Sequence, residues 1–313
     1  MRMADHRNRH DTYGWFRRVP GVAPVMTHTT DTKTWFVTGA SRGMGRELVE
    51  QVLNRGHRVA ATLRRPEQLD DLARRHGDRL WRRALDVTDT AALRDVVDQT
   101  FAALGRIDVV VSNAGYGVFA TAEDLRDEQI EQMIATNLTG SIQLARAVIP
   151  HLRNQRGGLL MQMSSMGGHL TFPGFSLYHV TKWGIEGFYD AVSAEIEPFG
   201  IRTTLIEPGV VRTGFFDAAE RVPVGAPYRG GPADRAQLSV DEMPVSPERA
   251  VAAIVRAADS DDPPRRLVLG SDAWTLMTGA LTARLAEVSA QRDSAAEADY
   301  GADDEVGRVA SVS

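Results

Sequence analysis

The chain has 313 residues, 43% of them apolar and 25% charged, with a net charge of −5 and a pI near 5.9. That is globular composition with material for a sizeable core, and its acidic balance argues against a dedicated nucleic-acid binder. The absence of cysteine excludes disulfides, thiolate chemistry and cysteine-based metal sites, and no apolar run reaches the roughly 18–20 residues of a membrane span.

Residues 1–32 are polar and Arg-rich and lack the apolar core of a secretory signal. Arg17-Arg18 is followed by a short stretch broken by Pro20 and Pro24 rather than by a twin-arginine signal's apolar run. The segment reads as a flexible extension, and the cytoplasm is the default location. A strand-helix rhythm then begins. Thr34–Thr38 is an apolar run ending in glycines, and residues 43–55 read as a helix. Arg58–Leu63 is a second strand, followed by a helix after Pro66. A third strand over 79–85 is weakened by Arg82 and Arg83. A helix over 89–104 leads to the buried strand 107–112. A long helical region over 127–153, bent or broken near Gly140, precedes a fifth strand at 159–163. A helix over 176–198, a sixth strand at 201–206, a helix over 247–259 and a last strand at 266–269 close the series.

Strands alternating with helices of this length predict an α/β fold: one Rossmann-type, doubly wound parallel sheet of about seven strands with helices on both faces, over residues 33–288. Ligands of such sheets sit beyond the carboxyl ends of the strands. Residues 212–245 hold six Pro or Gly between Pro223 and Pro232, with Phe215 and Phe216 near their start. A loop that long predicts a substrate lid. The acidic tail, 289–313, rich in Ala, Ser and Asp, reads as disordered.

Between the first strand and its helix stands Gly39-Ala40-Ser41-Arg42-Gly43-Met44-Gly45. Glycines there allow close backbone approach, and the helix N-terminus offers N–H groups to a pyrophosphate. The spacing is G-x-x-x-G-x-G rather than G-x-G-x-x-G, and by itself also fits an ordinary glycine turn. The second strand ends in Leu63-Arg64-Arg65, without the carboxylate that holds a ribose hydroxyl in NAD enzymes. Arg64 with Arg42 would suit a 2′-phosphate, so NADP(H) is expected, solvated arginines being the alternative. The other arginine pairs, Arg74-Arg75 and Arg82-Arg83, read as solvated. Asp86 and Val87 after the third strand fit either an adenine edge or a cap.

Tyr178 and Lys182 are four residues apart, with Ser165 thirteen residues before the tyrosine. On a helix the phenol and ammonium share a face. An ammonium about 4 Å away at an effective dielectric of about 20 is worth about 4 kcal/mol, enough to lower a phenol toward neutrality before desolvation opposes it. Such a tyrosine can exchange a proton with an alcohol or ketone while the serine holds the same oxygen. There is no G-x-S-x-G elbow, P-loop or H-E-x-x-H in the chain, and no metal is expected.

In this order and spacing the chain resembles the short-chain dehydrogenase/reductase family from about Thr34 to Leu269. The resemblance is carried by Thr38-Gly39 with Gly43 and Gly45, Asp86, Asn113-Ala114-Gly115, Asn137, Ser165, Tyr178 and Lys182, and Pro208-Gly209 with Thr213. Ser112 stands where the family often has a second Asn. The resemblance implies that Tyr178 is the general acid or base, that Lys182 lowers its pKa and binds the nicotinamide ribose, and that Ser165, rather than Ser164, orients the substrate oxygen. Asn137 would hold a water-linked proton relay by kinking its helix so that a carbonyl is free. Pro208 to Thr213, with Gly209 and Val211, would cover the nicotinamide. His169 and His179 read as wall or surface residues, and Glu207 as structural.

The expected activity is NADP(H)-dependent interconversion of a ketone or aldehyde and an alcohol. Phe119, Met166, Leu170, Phe172, Phe215 and Phe216 are candidate walls for a medium-sized hydrophobic substrate, and each fits core packing equally well. The alternatives are an NAD(H)-dependent alcohol dehydrogenase working oxidatively and a non-catalytic NADP(H)-sensing protein. By resemblance the chain forms a homodimer or homotetramer through the helices that include 89–104, 127–153 and 176–198, with no nucleic-acid or membrane partner.

Overall fold

The computed structural model describes residues 32–234, 239 and 242–299. Strand β1 (Thr34–Thr38) is buried along its whole length, as a parallel strand covered on both faces must be. In chain order come α1 (Gly43–Asn54), β2 (Arg58–Leu63), α2 (Asp70–His76), β3 (Leu80–Ala84) and α3 (Thr90–Leu104). The Asp89 carboxylate caps α3, accepting from Ala92 N. Next are β4 (Val109–Ser112), β5 (Val118–Phe119), α4 (Asp127–Met133), a π-helical turn (Ile134–Thr139) and α5 (Gly140–Asn154). Then follow β6 (Gly158–Met163), α6 (Ser176–Ile196), β7 (Ile201–Pro208), α7 (Phe215–Ala218) and β8 (Glu220–Arg221). The described part closes with α8 (Pro247–Asp259), β9 (Arg266–Leu269), α9 (Ser271–Ser289) and α10 (Arg292–Ala296).

The main sheet has seven strands in the order β3-β2-β1-β4-β6-β7-β9, and every neighbouring pair is parallel. Phe36 stands opposite Ala60 and Val110. Because successive side chains leave a strand on opposite faces, Trp35 and Val37 enter one core, with Leu48, Val52, Val251 and Ile254 of α1 and α8. Phe36 and Val110 enter the other, with Val97, Leu144, Ile185 and Tyr189 of α3, α5 and α6. The expected doubly wound α/β architecture is therefore present. Among the described residues no helix is long and apolar enough to cross a membrane.

Two expectations hold and one does not, each for a local cause. β3 is the sheet edge, so Arg82 and Arg83 need no burial; Arg82 reaches Asp70 and Arg83 lies over the Trp81 ring. The bend expected near Gly140 is a π turn just before it, a single wide turn that displaces one residue from the α-helical ladder. The rhythm does not end at β9: α9 follows directly, and α10 lies in the stretch expected to be disordered. The rest of that tail, from 300, and residues 1–31 lie outside the described residues.

Candidate active site

β1 and β4 are neighbours from which the chain winds in opposite directions, and the crevice at the carboxyl ends of such a pair is where an open α/β sheet takes its ligand. Thr38 ends β1 and Asn113 follows β4. Asn113 N donates to Thr38 Oγ1 at 3.0 Å, and its Nδ2 donates to the Thr38 and Gly39 carbonyls at 3.0 and 3.1 Å. Ala114 N also donates to Thr38 Oγ1, at 3.3 Å. Asn113 thus clamps the glycine turn rather than reaching outward. Gly39 has φ 67°, and a Cβ there would lie 2.7 Å from Ala114 Cα. A Cβ on Gly45 would collide with the Gly39 carbonyl and Asn113 Nδ2. Only glycine fits either position, and the turn is pressed flat against the next loop.

α1 opens at Gly43 with no side-chain cap and no acidic residue in its first turn. Its first N–H groups are therefore free of a built-in anion, and the helix end favours a phosphate. Ser41 and Met44 are half-buried beside it. Arg42 and Arg64 are exposed, and among the described residues neither guanidinium makes a hydrogen bond or ion pair. Their neighbours differ: Arg46 pairs with Asp71, Arg75 with Glu50 and Arg82 with Asp70. These residues fit a dinucleotide with phosphates at both places. Asp86 accepts from Thr88 N at 3.0 Å and Thr88 Oγ1 at 2.7 Å, bonds that hold its pKa down, with Arg64 adding to the effect. One of its oxygens is thus taken by a turn, and Val87 is buried against Gly140. Beyond β7, Gly209 N donates to the Leu269 carbonyl at 2.8 Å and Val210 N to Asp272 Oδ2 at 2.7 Å. Val211 bridges to Val245, and Thr213 lies across from Gly43. The Pro208–Thr213 segment therefore returns to the glycine turn.

Tyr178 and Lys182 are both buried on α6. Lys182 Nζ donates to the Met163 carbonyl at 2.9 Å and lies 5.5 Å from the centre of the Tyr178 ring. Ser165 Oγ accepts from Gly167 N at 3.0 Å and lies near enough to the phenol to draw its pKa down. So the serine, phenol and ammonium converge, as their spacing predicts. The electrostatics reverse the expectation. Burial pushes Tyr178 up to about 12, with Ser165 pulling the other way. Burial also brings Lys182 down to about 8, against the pull of Glu186. Desolvation disfavours both charged forms here more than the pair's proximity favours them.

Asn137 lies within the π turn and is buried. Its Nδ2 donates to the Tyr116 carbonyl at 2.8 Å, and its Oδ1 accepts from Tyr116 N at 3.0 Å. Its own carbonyl accepts from Ser141 Oγ at 3.0 Å. The helix is distorted here, but Asn137 anchors the loop after Gly115.

Residues 33–222 match the family model of the short chain dehydrogenases. The chain belongs to that family. It is 38% identical over 247 residues to an oxidoreductase of Botryotinia fuckeliana called BOA17, a match covering 77% of this chain and 90% of that protein. A crystal structure of a short-chain dehydrogenase from Streptomyces avermitilis has 35% identity and a TM-score of 0.79, covering 85% of this chain and all of the other. An alcohol dehydrogenase of Thermococcus sibiricus, solved with 5-hydroxy-NADP, has 25% identity and a TM-score of 0.64 over 76% of this chain and 96% of its own. This short-chain dehydrogenase is accordingly an oxidoreductase acting on CH–OH-type substrates.

The expected pocket wall of this dehydrogenase divides in two. Phe119 and Phe215 pack with Phe175 and Tyr178, while Met166, Leu170 and Phe172 pack with Met277. Phe216 meets the first group, 6.2 Å from Phe119 and 5.4 Å from Phe215. Phe175, which the sequence reading missed, stacks on Tyr178 at 4.3 Å and on Phe119 at 4.2 Å. Its apolar neighbours in the sequence gave no reason to single it out. His179 is buried rather than on the surface: Phe172 N donates to its Nε2 at 2.8 Å, so its Nδ1 donates to the Gly167 carbonyl, also at 2.8 Å.

His169 is not a plain wall residue either. Its Nε2 lies 2.9 Å from Glu207 Oε1 and 3.6 Å from Glu186 Oε2. Arg266 completes the group, with Nη2 2.9 Å from Glu186 and Nε 3.1 Å from Glu207. Donor atoms of His169, Glu186 and Glu207 lie within 4.8 Å of one another, but the guanidinium already supplies the cation there. The signal for this cluster was Glu186, one helical turn past Lys182.

Proposed function

We propose that this short-chain dehydrogenase reduces a ketone or aldehyde to an alcohol with NADPH, on a medium-sized hydrophobic substrate. The observation that carries the reading is the buried convergence of Ser165, Tyr178 and Lys182 at the carboxyl end of the sheet, beside the glycine turn. When bound, the dinucleotide supplies a hydride to the carbonyl carbon. The N–H groups at the start of α1 take its pyrophosphate, and Arg42 and Arg64 take the 2′-phosphate. Lys182 binds the nicotinamide ribose, and Pro208 to Thr213 screen that end from water. Ser165 holds the carbonyl oxygen, and Tyr178 donates the proton that makes it a hydroxyl. Burial holds the phenol protonated at neutral pH, as a proton donor must be.

The same reading makes residues 212–245 a lid. It is supported by Phe215, edge-on to Tyr178 at 5.8 Å, and by the β5–β8 pair that ties the segment down; residues 235–238, 240 and 241 lie outside the described residues. A dimer or tetramer and a cytoplasmic location belong to it as well. A panel of ketones and alcohols, read by nicotinamide absorbance with NADPH and NADH, tests the assignment. Turnover only with NADH, or only of alcohols, would reject it. A cofactor sensor would bind NADPH and turn over nothing.

A further inference from the structure

Asp272 stands in the first turn of α9, where an aspartate ordinarily serves its own helix. Here no side chain caps α9. The carboxylate instead reaches back to the end of β7, where its Oδ2 accepts from Val210 N at 2.7 Å. A Cβ on Gly209 or on Gly270 would collide with this carboxylate, so it is seated between two backbones that only glycine lets come so close. Gly270 also has φ 114°, a value side chains rarely adopt, and it turns the chain from β9 into α9 at this point. The second oxygen, Oδ1, is buried without a hydrogen-bond partner. A carboxylate serving only its helix end would keep that oxygen in water; burying it costs free energy that the fixed contact to Val210 must offset.

The same helix reaches the other half of the site. Ala273 and Met277 pack in one cluster with Met166 and Leu170, from the turn after Ser165, and with Val210. The rest of the Pro208–Thr213 segment is tied elsewhere. Gly209 N donates to the Leu269 carbonyl, and Arg212 N donates to the Val245 carbonyl at 2.9 Å. Between these ties, Asp272 is the acceptor for Val210 N. All of α9 lies beyond residues 33–222, so this brace is outside the part that matches the family model.

We propose that Asp272 is a positioning residue: by holding Val210 N it fixes the Pro208–Thr213 segment against the nicotinamide, and α9 carries that segment and the Ser165 turn as one unit. The proposal rests on the reading above that this segment covers the nicotinamide. No proton or electron passes through Asp272; the carboxylate acts on the backbone, and the backbone on the ring. Without it Val210 N loses its acceptor and the segment loosens, while the glycine turn, Arg42 and Arg64, which Asp272 does not touch, keep their places.

Two ligands separate positioning from a general loss of structure: NADPH, and 2′,5′-ADP, which has the adenosine and 2′-phosphate but no nicotinamide. In Asp272→Ala and in Asp272→Ser, whose hydroxyl stands one bond too short for Val210 N, NADPH affinity read by fluorescence is expected to fall about tenfold. Binding of 2′,5′-ADP, read by calorimetry, stays unchanged in both. Asp272→Asn keeps an acceptor oxygen at the same reach and is expected to bring NADPH back to within about twofold of the unmodified protein. Turnover at saturating NADPH falls in the first two variants and recovers in the third. An equal loss of both ligands, no loss of either, or an asparagine variant no better than the alanine one would overturn the proposal. If the unmodified protein does not bind NADPH, the reading of the site fails and this role with it, whereas normal binding with indifferent variants sinks the role of Asp272 alone.

Discussion

Burial acts in opposite senses on the two titrating members of α6, lifting the phenol of Tyr178 and depressing the ammonium of Lys182. Both shifts have consequences for stability. The folded pKa of Lys182, about 8, lies below its value of 10.5 in the unfolded chain. The unfolded state therefore holds the extra proton between those limits, and stability rises with pH by about 1.4 kcal/mol per unit across them. Tyr178, with a folded pKa of about 12, opposes this only above pH 10. Comparing the melting of the unmodified protein with that of Lys182→Met from pH 7 to 10 should show the former gaining on the variant above about pH 8; parallel curves would contradict the shift. For catalysis, Tyr178→Phe should lower kcat by about a hundredfold or more while NADPH still binds, as read by fluorescence. Arg64→Asp should raise the KM for NADPH about tenfold or more and leave that for NADH nearly unchanged. Equal effects on both cofactors would remove the phosphate role of that guanidinium.

The elements show why some of this was legible in the sequence and some not. β1 and β4 are covered on both faces, so each reads as a continuous apolar run. The glycine turn was readable because its backbone permits nothing else: Gly39→Ala places a methyl group against Ala114 and is expected to cost about 1–3 kcal/mol, visible as a lower Tm together with weakened NADPH binding. Asn137 was legible only through the family, since a lone polar residue in a helix has no periodic signature. Its amide answers both backbone groups of Tyr116. Asn137→Ala should therefore destabilise by about 2 kcal/mol or more in denaturant unfolding, whatever its effect on turnover. α9 escaped because its apolar residues do not form one inward stripe: Ala273 and Met277 are buried, whereas Trp274, Leu281, Leu285 and Val288 are exposed. The His169–Glu186–Glu207–Arg266 group escaped for another reason. Its members come from a turn, a helix and two strands, and only the sheet order brings them together.

At the scale of the molecule, the sheet fixes one end of the site and leaves the other adjustable. The crevice between β1 and β4, the glycine turn and the Ser165 turn all rest on buried strands. The segment from Met166 to Phe172 is further secured by the imidazole of His179, which bonds Gly167 on one side and Phe172 on the other. Phe215 and Phe216, by contrast, sit on a four-residue helix outside the main sheet. Directed evolution toward new ketones should thus find its gains at Phe215 and Phe216, while libraries over 166–172 would yield mostly insoluble clones. A screen that scores selectivity and expression together at both places would reveal which half of the cleft natural divergence has been free to rewrite.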